Sequence, residues 1–179
     1  LNTDTMNTIA VMTRNELFQM TSTSTSRASE LCISSVYVDE ASLKGYAYVG
    51  LSNGHLLVLN FEDGGLFVCD YHVSAAEVGL DGALISIEIC PKDEKYIALS
   101  YDSGLSSSSQ VLIYDLSKKK VKQRHMNINA NSITWDNTGE FLFVSDLSRG
   151  IHLMELENQS SHLAWNLNTA DDEFAEGNE

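Results

Sequence analysis

Proline, cysteine and basic residues are scarce in this chain, and long apolar runs are missing. Its 179 residues include 1 proline and 3 cysteines, and no run of about 18 apolar residues could cross a membrane. The N-terminus lacks the apolar core and basic flank of a signal peptide. Cys32, Cys69 and Cys90 are an odd set without C-x-x-C spacing, which favours reduced thiols. We therefore expect an intracellular protein, cytoplasmic or nuclear.

The charge balance is strongly acidic. Lysine and arginine number 11 against 25 aspartates and glutamates, so the formal net charge is −14. This charge disfavours nucleic acids and anionic membranes as partners, because both are negatively charged. It leaves basic protein or peptide surfaces as the favoured charged partners. Residues 168–179 carry a dense run of acids, and we predict that they form a disordered acidic tail.

Short alternating strands separated by turn formers recur along the chain. The clearest copy reads ISIEICPKDEKYIALSYDSG at 85–104 and continues as QVLIYDL at 110–116. A second copy occupies 132–156, and a looser one lies within 31–61. Apolar and polar residues alternate with a period of two inside the strands, and Asn, Asp, Ser and Gly fill the turns. Repeats of this kind are typical of β-propeller blades.

The repeats divide the chain into blades of four strands, named a to d from the propeller axis outward. We predict a partial β-propeller over 1–167, with complete blades at 31–73, 84–126 and 131–167. Residues 7–23 are predicted to form a half blade, made of third and fourth strands. The chain thus supplies about three and a half blades, an incomplete ring. Because each blade is buried between two neighbours, an open arc leaves two faces uncovered. We expect the missing blades to come from upstream sequence, from another chain or from self-association.

These motifs resemble the WD-repeat β-propeller family. Strand a closes with Thr134-Trp135-Asp136, Asp102 and Asp146 lie in turns between strands b and c, and Tyr114-Asp115 closes strand c. The family's Gly-His pair before strand a is missing, so its buried hydrogen-bond chain is not carried over. The resemblance implies an all-β fold of antiparallel four-stranded blades. It also implies a non-enzymatic scaffold for protein–protein interaction, within a larger chain or multiprotein complex.

The same resemblance nominates a binding face. In the family, this face is formed by the loops from d to a and from b to c. The corresponding partner-binding candidates here are Asp81, Tyr101, Asp102, Asn129, Asp146 and Arg149. No catalytic residue, cofactor or metal site is predicted, because the histidines lack ligand spacing and no phosphate-binding or nucleophile motif is present.

Two alternatives stay open. One is a propeller enzyme, such as a metal-dependent hydrolase with carboxylates at the central channel, which would need at least three convergent ligands. The other is a purely architectural role, in which the blades bind no ligand. A basic run from Lys118 to Arg124 lies on a predicted outer strand. One interpretation is that these lysines discourage edge-to-edge aggregation of the sheet. The other is that they dock an acidic partner.

Overall fold

The computed structural model describes residues 32–38, 46–62, 66–79, 82–102, 109–147, 150–158 and 160–166. Within these ranges, twelve strands form three antiparallel sheets, each with its four strands paired in chain order. The strands are β1 (Ile33–Val38), β2 (Tyr46–Leu51), β3 (Leu56–Glu62), β4 (Leu66–Val73), β5 (Ala83–Ile89), β6 (Tyr96–Asp102), β7 (Gln110–Asp115), β8 (Lys120–Met126), β9 (Ala130–Trp135), β10 (Phe141–Asp146), β11 (Gly150–Glu155) and β12 (Ser161–Asn166). We call the sheets blade 1 (β1–β4), blade 2 (β5–β8) and blade 3 (β9–β12).

The side chains of β6 alternate between the contact with blade 1 and the contact with blade 3. Ile97, Leu99 and Tyr101 belong to the apolar cluster shared with blade 1. Ala98, between them, belongs to the cluster shared with blade 3. Because successive side chains of a strand point to opposite faces, a central blade must be apolar on both sides. This explains why β6 is buried from Ile97 to Tyr101 without a break.

Two apolar clusters hold the three blades together. The cluster between blades 1 and 2 combines Tyr48 and Leu56 with Leu84 and Leu112. The cluster between blades 2 and 3 is formed by aliphatic and aromatic side chains of both sheets, among them Val111, Ile113, Ile133, Leu142 and Met154. Each fully buried side chain of this size contributes about 1.5–3 kcal/mol of transfer free energy. The boundaries between blades are therefore the main apolar core.

A bulge recurs at the same place in all three blades. The register between the first two strands skips one residue near the start of the inner strand, at Ser34, Ile85 and Asn131. The residues paired just before the skip are Ile33 with Leu51, Leu84 with Tyr101, and Ala130 with Asp146. These pairings define structurally equivalent positions in the three blades. Because a β-bulge bends its strand, the same bulge in each blade gives the adjoining turn after strand b the same direction.

Two glycines lie where a side chain would clash. A Cβ at Gly50 would approach Ser35 Oγ to 2.2 Å and the Leu84 carbonyl oxygen to 2.8 Å, so blades 1 and 2 meet there at backbone distance. Gly139 has φ +67° in the turn between β9 and β10, and its Cβ would lie 2.7 Å from the Lys92 backbone nitrogen. A left-handed φ of this kind favours glycine.

The predicted fold class is confirmed: the described chain is all-β, with antiparallel four-stranded blades. The strands of the three sheets span 33–73, 83–126 and 130–166, close to the blades predicted from the repeats. The predicted half blade at 7–23 and the acidic tail at 168–179 lie outside the described residues and stay predictions.

Candidate interaction surface

One end of the blades gathers the connections from strand d to strand a and from b to c. The residue after strand b donates to the residue before strand a in two blades: Ser52 N to Cys32 O at 2.9 Å, and Leu147 N to Asn129 O at 3.0 Å. In blade 2, Asp102 and Ala83 occupy the same two positions and pair directly. We call this end the rim.

Asp102 and Asn129 are exposed on the rim, and their predicted role in partner binding stays a prediction. Leu147 lies beside Asn129 and is one of the most exposed large apolar residues described. Sequence reasoning missed Leu147 because it follows the more conspicuous Asp146. Asp81 and Arg149, the other charged candidates, lie outside the described residues.

Tyr101 and Asp146 are buried, with 1% and 2% exposure, so we correct their assignment to the partner surface. Both point toward the preceding blade rather than toward the rim, at equivalent positions. Desolvation raises the pKa of Tyr101, and the nearby Tyr114 adds to the effect. These two residues belong to the boundaries between blades.

The two turn aspartates are not equivalent, although their sequence settings look alike. Asp146 corresponds to Tyr101 and Leu51, whereas Asp102 corresponds to Ser52 and Leu147. The offset of one residue turns one carboxylate inward and the other outward, because the side-chain period of a strand is two. Asp102 is thus a surface group and Asp146 a core group.

Asp146 forms part of a polar network between blades 2 and 3. Its Oδ2 lies 3.2 Å from Nε2 of His152, and both side chains are buried. His125 approaches from blade 2, where burial, followed by the nearby His152, lowers its pKa. Gln123 crosses the same boundary and donates to the carbonyl oxygens of Glu155 at 3.1 Å and Leu156 at 2.6 Å. The boundary therefore has polar links between the blades beside its apolar cluster.

The connector from β4 to β5 forms an ordered part of the rim. Ser74 and Glu77 bond reciprocally: Ser74 N donates to Glu77 Oε2 at 2.7 Å, and Glu77 N donates to Ser74 Oγ at 3.2 Å. The hydrogen bond from the Ser74 backbone is the largest cause of the lowered pKa of Glu77. Val78, in the same turn, is buried against the apolar cluster. Glu77 itself is exposed, so this connector presents a second carboxylate in addition to Asp102.

A pair of histidines lies at the end of blade 1. The rings of His55 and His72 stack with centroids 5.9 Å apart. His55 is buried, and neither of its ring nitrogens has a hydrogen-bond partner. Burial is the largest cause of its lowered pKa. Among the described residues, no group of three or more His, Cys, Asp or Glu is arranged to hold a metal ion.

The basic outer strand of blade 2 is largely engaged in local contacts. Arg124 donates to the carbonyl oxygens of Val78 and Gly79 and so ties the connector to β8. Lys122 lies over the Tyr96 ring, 4.4 Å from its centroid. Lys118 pairs with Asp115 at 3.6 Å. These contacts support the structural interpretation of the basic run over a docking patch.

The last residue of the motif that closes strand c has an equivalent position in all three blades. Asp115, Glu155 and Asn60 occupy equivalent positions, each paired with the first residue of strand b. Asp115 accepts from Ser117 Oγ at 2.6 Å and from Lys118 N at 2.9 Å. Burial acts to raise the pKa of Asp115, but these bonds outweigh it and lower the pKa.

Comparison with known proteins supports the fold. No family model matches the chain, and no curated protein matches it. Saccharomyces cerevisiae Sqt1 is similar in structure, with 18% sequence identity over 72% of this chain and a TM-score of 0.56. The Dos1 propeller is similar with 15% identity over 70% of this chain and a TM-score of 0.53. The chain covers about a third of each structure, 33% and 32% respectively. These similarities show the fold alone: the predicted fold of a β-propeller fragment is confirmed, and membership of the WD-repeat family stays a prediction. No helix in the described residues has the length and apolarity to span a bilayer.

Proposed function

We propose that this protein is a non-enzymatic scaffold that binds a basic protein or peptide segment through its rim. The observation that carries the proposal is the recurring register, which brings the turn after strand b and the residue before strand a together in three consecutive blades. A rigid frame with variable loops at one end is a common way to build a binding surface. Propellers as a class support this role only by analogy of fold.

The exposed rim residues define the chemistry of the partner. Glu77 and Asp102 supply negative charge, Asn129 supplies hydrogen-bonding groups, and Leu147 supplies an apolar contact. Interfaces commonly combine an apolar centre with a polar edge. A segment that carries Lys or Arg beside an apolar side chain would match this combination, and the net charge of −14 would speed its encounter.

We further propose that the described blades work as part of a larger ring, supplied by a longer chain or by a complex. Exposed apolar side chains in blades 1 and 3, among them Val36, Val38, Phe143 and Trp165, support this, since soluble proteins seldom expose contiguous apolar surface. Cys32, Cys69 and Cys90 are all free thiols, which supports an intracellular location, cytoplasmic or nuclear.

The test compares the two ends of the strands. A photoreactive amino acid replaces Asp102 at the rim or, as the matched control, Glu94, an exposed acid in the turn at the opposite end. We expect cross-links to a shared set of basic proteins from position 102 and not from position 94. Asp102→Lys combined with Leu147→Lys should abolish recovery of those proteins, whereas Glu94→Lys should preserve it. Equal cross-linking at both ends, or unchanged recovery by the double variant, would exclude the rim.

A further inference from the structure

His55 is a buried side chain whose polar atoms are unsatisfied. It follows the turn from β2 to β3 at the rim, and it is only 5% exposed. Neither Nδ1 nor Nε2 has a hydrogen-bond partner among the described residues. A neutral imidazole carries one donor and one acceptor, and burial of such groups without partners costs free energy. A histidine at this position therefore calls for a role other than packing.

The connector from β4 to β5 packs against the turn that carries His55. The first residue of β3 pairs with the last residue of β4, so His55 and Ser74 lie side by side at the rim. A Cβ on Gly54 would approach the Cβ of Ala75 to 2.8 Å, which shows how closely the turn and the connector meet. His55 is therefore enclosed beside the segment that presents Glu77 on the rim.

The titratable groups around His55 come from β4, the connector and blade 2. The His72 ring, on β4, stacks on it with the ring centroids 5.9 Å apart. The Glu77 carboxylate, on the connector, interacts electrostatically with both histidines. From blade 2, Tyr101 faces the turn and Tyr114 interacts with Glu77. Both phenols stay neutral in acid, because burial raises their pKa values. Glu77 is therefore the acid available to a charged His55.

Glu77 is engaged by Ser74 while His55 is neutral. Its Oε2 accepts from Ser74 N at 2.7 Å and from Ser74 Oγ at 3.1 Å, and the side chain is exposed. Arg124 donates to the carbonyl oxygens of Val78 and Gly79 and fixes the following part of the connector to β8. A change of partner for Glu77 thus needs only a rotation of its side chain, and the connector itself can stay in place.

We propose that protonation of His55 draws the Glu77 carboxylate inward and so releases a basic partner from the rim. This inference rests on the proposed function of the rim. A charged imidazole has two N–H donors; the Asn53 backbone lies near one acceptor position, and Glu77 supplies the other. A buried cation without an acceptor is costly, so the ion pair forms at the expense of the Ser74 bonds. The rim then loses an outward carboxylate and gains positive charge, and both changes weaken its attraction for a basic segment.

The transition falls in a defined pH range. Burial is the largest cause of the lowered pKa of His55; the neighbouring His72 lowers it further, whereas Asn53 and Glu77 act in the opposite direction. His55 therefore becomes charged below pH 6.5. Glu77 keeps its charge there, because the hydrogen bond from the Ser74 backbone lowers its own pKa below 4.5. The release should occur between these two values.

The first test follows the Ser74 amide proton by NMR spectroscopy of the whole chain, from about pH 7.5 to about pH 5. We expect its resonance to shift with a midpoint below pH 6.5, because its carboxylate acceptor leaves. His55→Gln keeps a polar but uncharged side chain and should abolish the shift. His72→Gln, the matched control, should keep the shift and raise its midpoint, since a neighbouring positive charge is removed. Circular dichroism checks each variant, and His55→Leu replaces His55→Gln if that variant fails to fold.

Cross-linking from position 102 then measures the effect on the rim. Recovery of basic proteins should fall about fivefold or more between about pH 7.5 and about pH 5.5, and His55→Gln should lose most of this pH dependence. A Ser74 resonance without a transition, a transition that survives in His55→Gln, or equal recovery at both pH values would overturn the proposal. Absence of rim-specific cross-links even at about pH 7.5 would contradict the proposed function instead, and the Ser74 resonance would still decide whether His55 controls Glu77.

Discussion

Leu142 and Phe143 are neighbours on β10, yet they lie in opposite surroundings. Leu142 is fully buried in the cluster between blades 2 and 3, whereas Phe143 lies on the far face of blade 3, which none of the three described sheets covers. Both side chains are large and apolar, so their own chemistry does not explain the difference. What differs is the presence of a neighbouring sheet. The comparison indicates that a blade of this type is stabilised chiefly at its boundaries.

Replacing Leu142 and Phe143 by alanine, one at a time, tests this comparison with the largest expected effect. Leu142→Ala should lower the free energy of unfolding by about 2–5 kcal/mol, because it opens a cavity in a packed boundary. Phe143→Ala should cost less than about 1.5 kcal/mol, since more than a third of its surface, 39%, is already exposed. Urea unfolding followed by circular dichroism measures both. Similar losses at the two positions would contradict the assignment of faces.

The polar pair at the covered boundary gives the next largest effect. His152→Leu should destabilise the protein by about 3 kcal/mol, because it separates Asp146 from a buried partner. Blade 2 carries Tyr101 and Leu112 at the equivalent positions. The double variant Asp146→Tyr with His152→Leu should therefore recover most of the loss. A double variant as unstable as the sum of the single variants would argue against the equivalence.

The pairing register at the inner-strand bulge could not be predicted from the sequence, although the positions of most strands could. Alternation and turn formers located the strands of all three blades, and Asp115, Glu155 and Asn60 aligned correctly. Asp102 and Asp146 did not, because the inner-strand bulge is invisible in a pattern of residues and shifts the alignment by one. A one-residue shift exchanges inside and outside. For the same reason, the burial of Tyr101 and the exposure of Leu147 could not be predicted.

Acidification should destabilise the protein through two histidines, one in blade 1 and one between blades 2 and 3. Burial lowers the pKa values of His55 in blade 1 and His125 at the boundary of blades 2 and 3 below 6.5. The unfolded chain then binds more protons than the folded chain, so stability is lost as pH falls below about 6.5. Each histidine contributes a slope of at most about 1.4 kcal/mol per pH unit. His55→Leu and His125→Leu should each flatten the stability profile measured between pH 7 and 5, and unchanged slopes would contradict the prediction.

The rim connector should give the smallest effect. Glu77→Ala removes the reciprocal bonds with Ser74 and should cost about 1 kcal/mol. Glu94→Ala, at an exposed turn without these bonds, is the control and should change stability by less than about 0.5 kcal/mol. Chemical denaturation distinguishes the two. A loss in Glu77→Ala that matched the effect of Leu142→Ala would show that the connector, rather than the boundary, stabilises the blades.

The two tryptophans provide the most direct measurement, because one lies at the covered boundary and the other on the open face. Trp135 is 8% exposed and donates through Nε1 to the Glu88 carbonyl oxygen at 3.3 Å, whereas Trp165 is 56% exposed. Acrylamide quenching is measured in the single-tryptophan variants Trp135→Phe and Trp165→Phe. The account predicts strong quenching and red-shifted emission for Trp165, and weak quenching and blue-shifted emission for Trp135. Equal quenching of the two, or the reverse order, would contradict the arrangement of stacked blades.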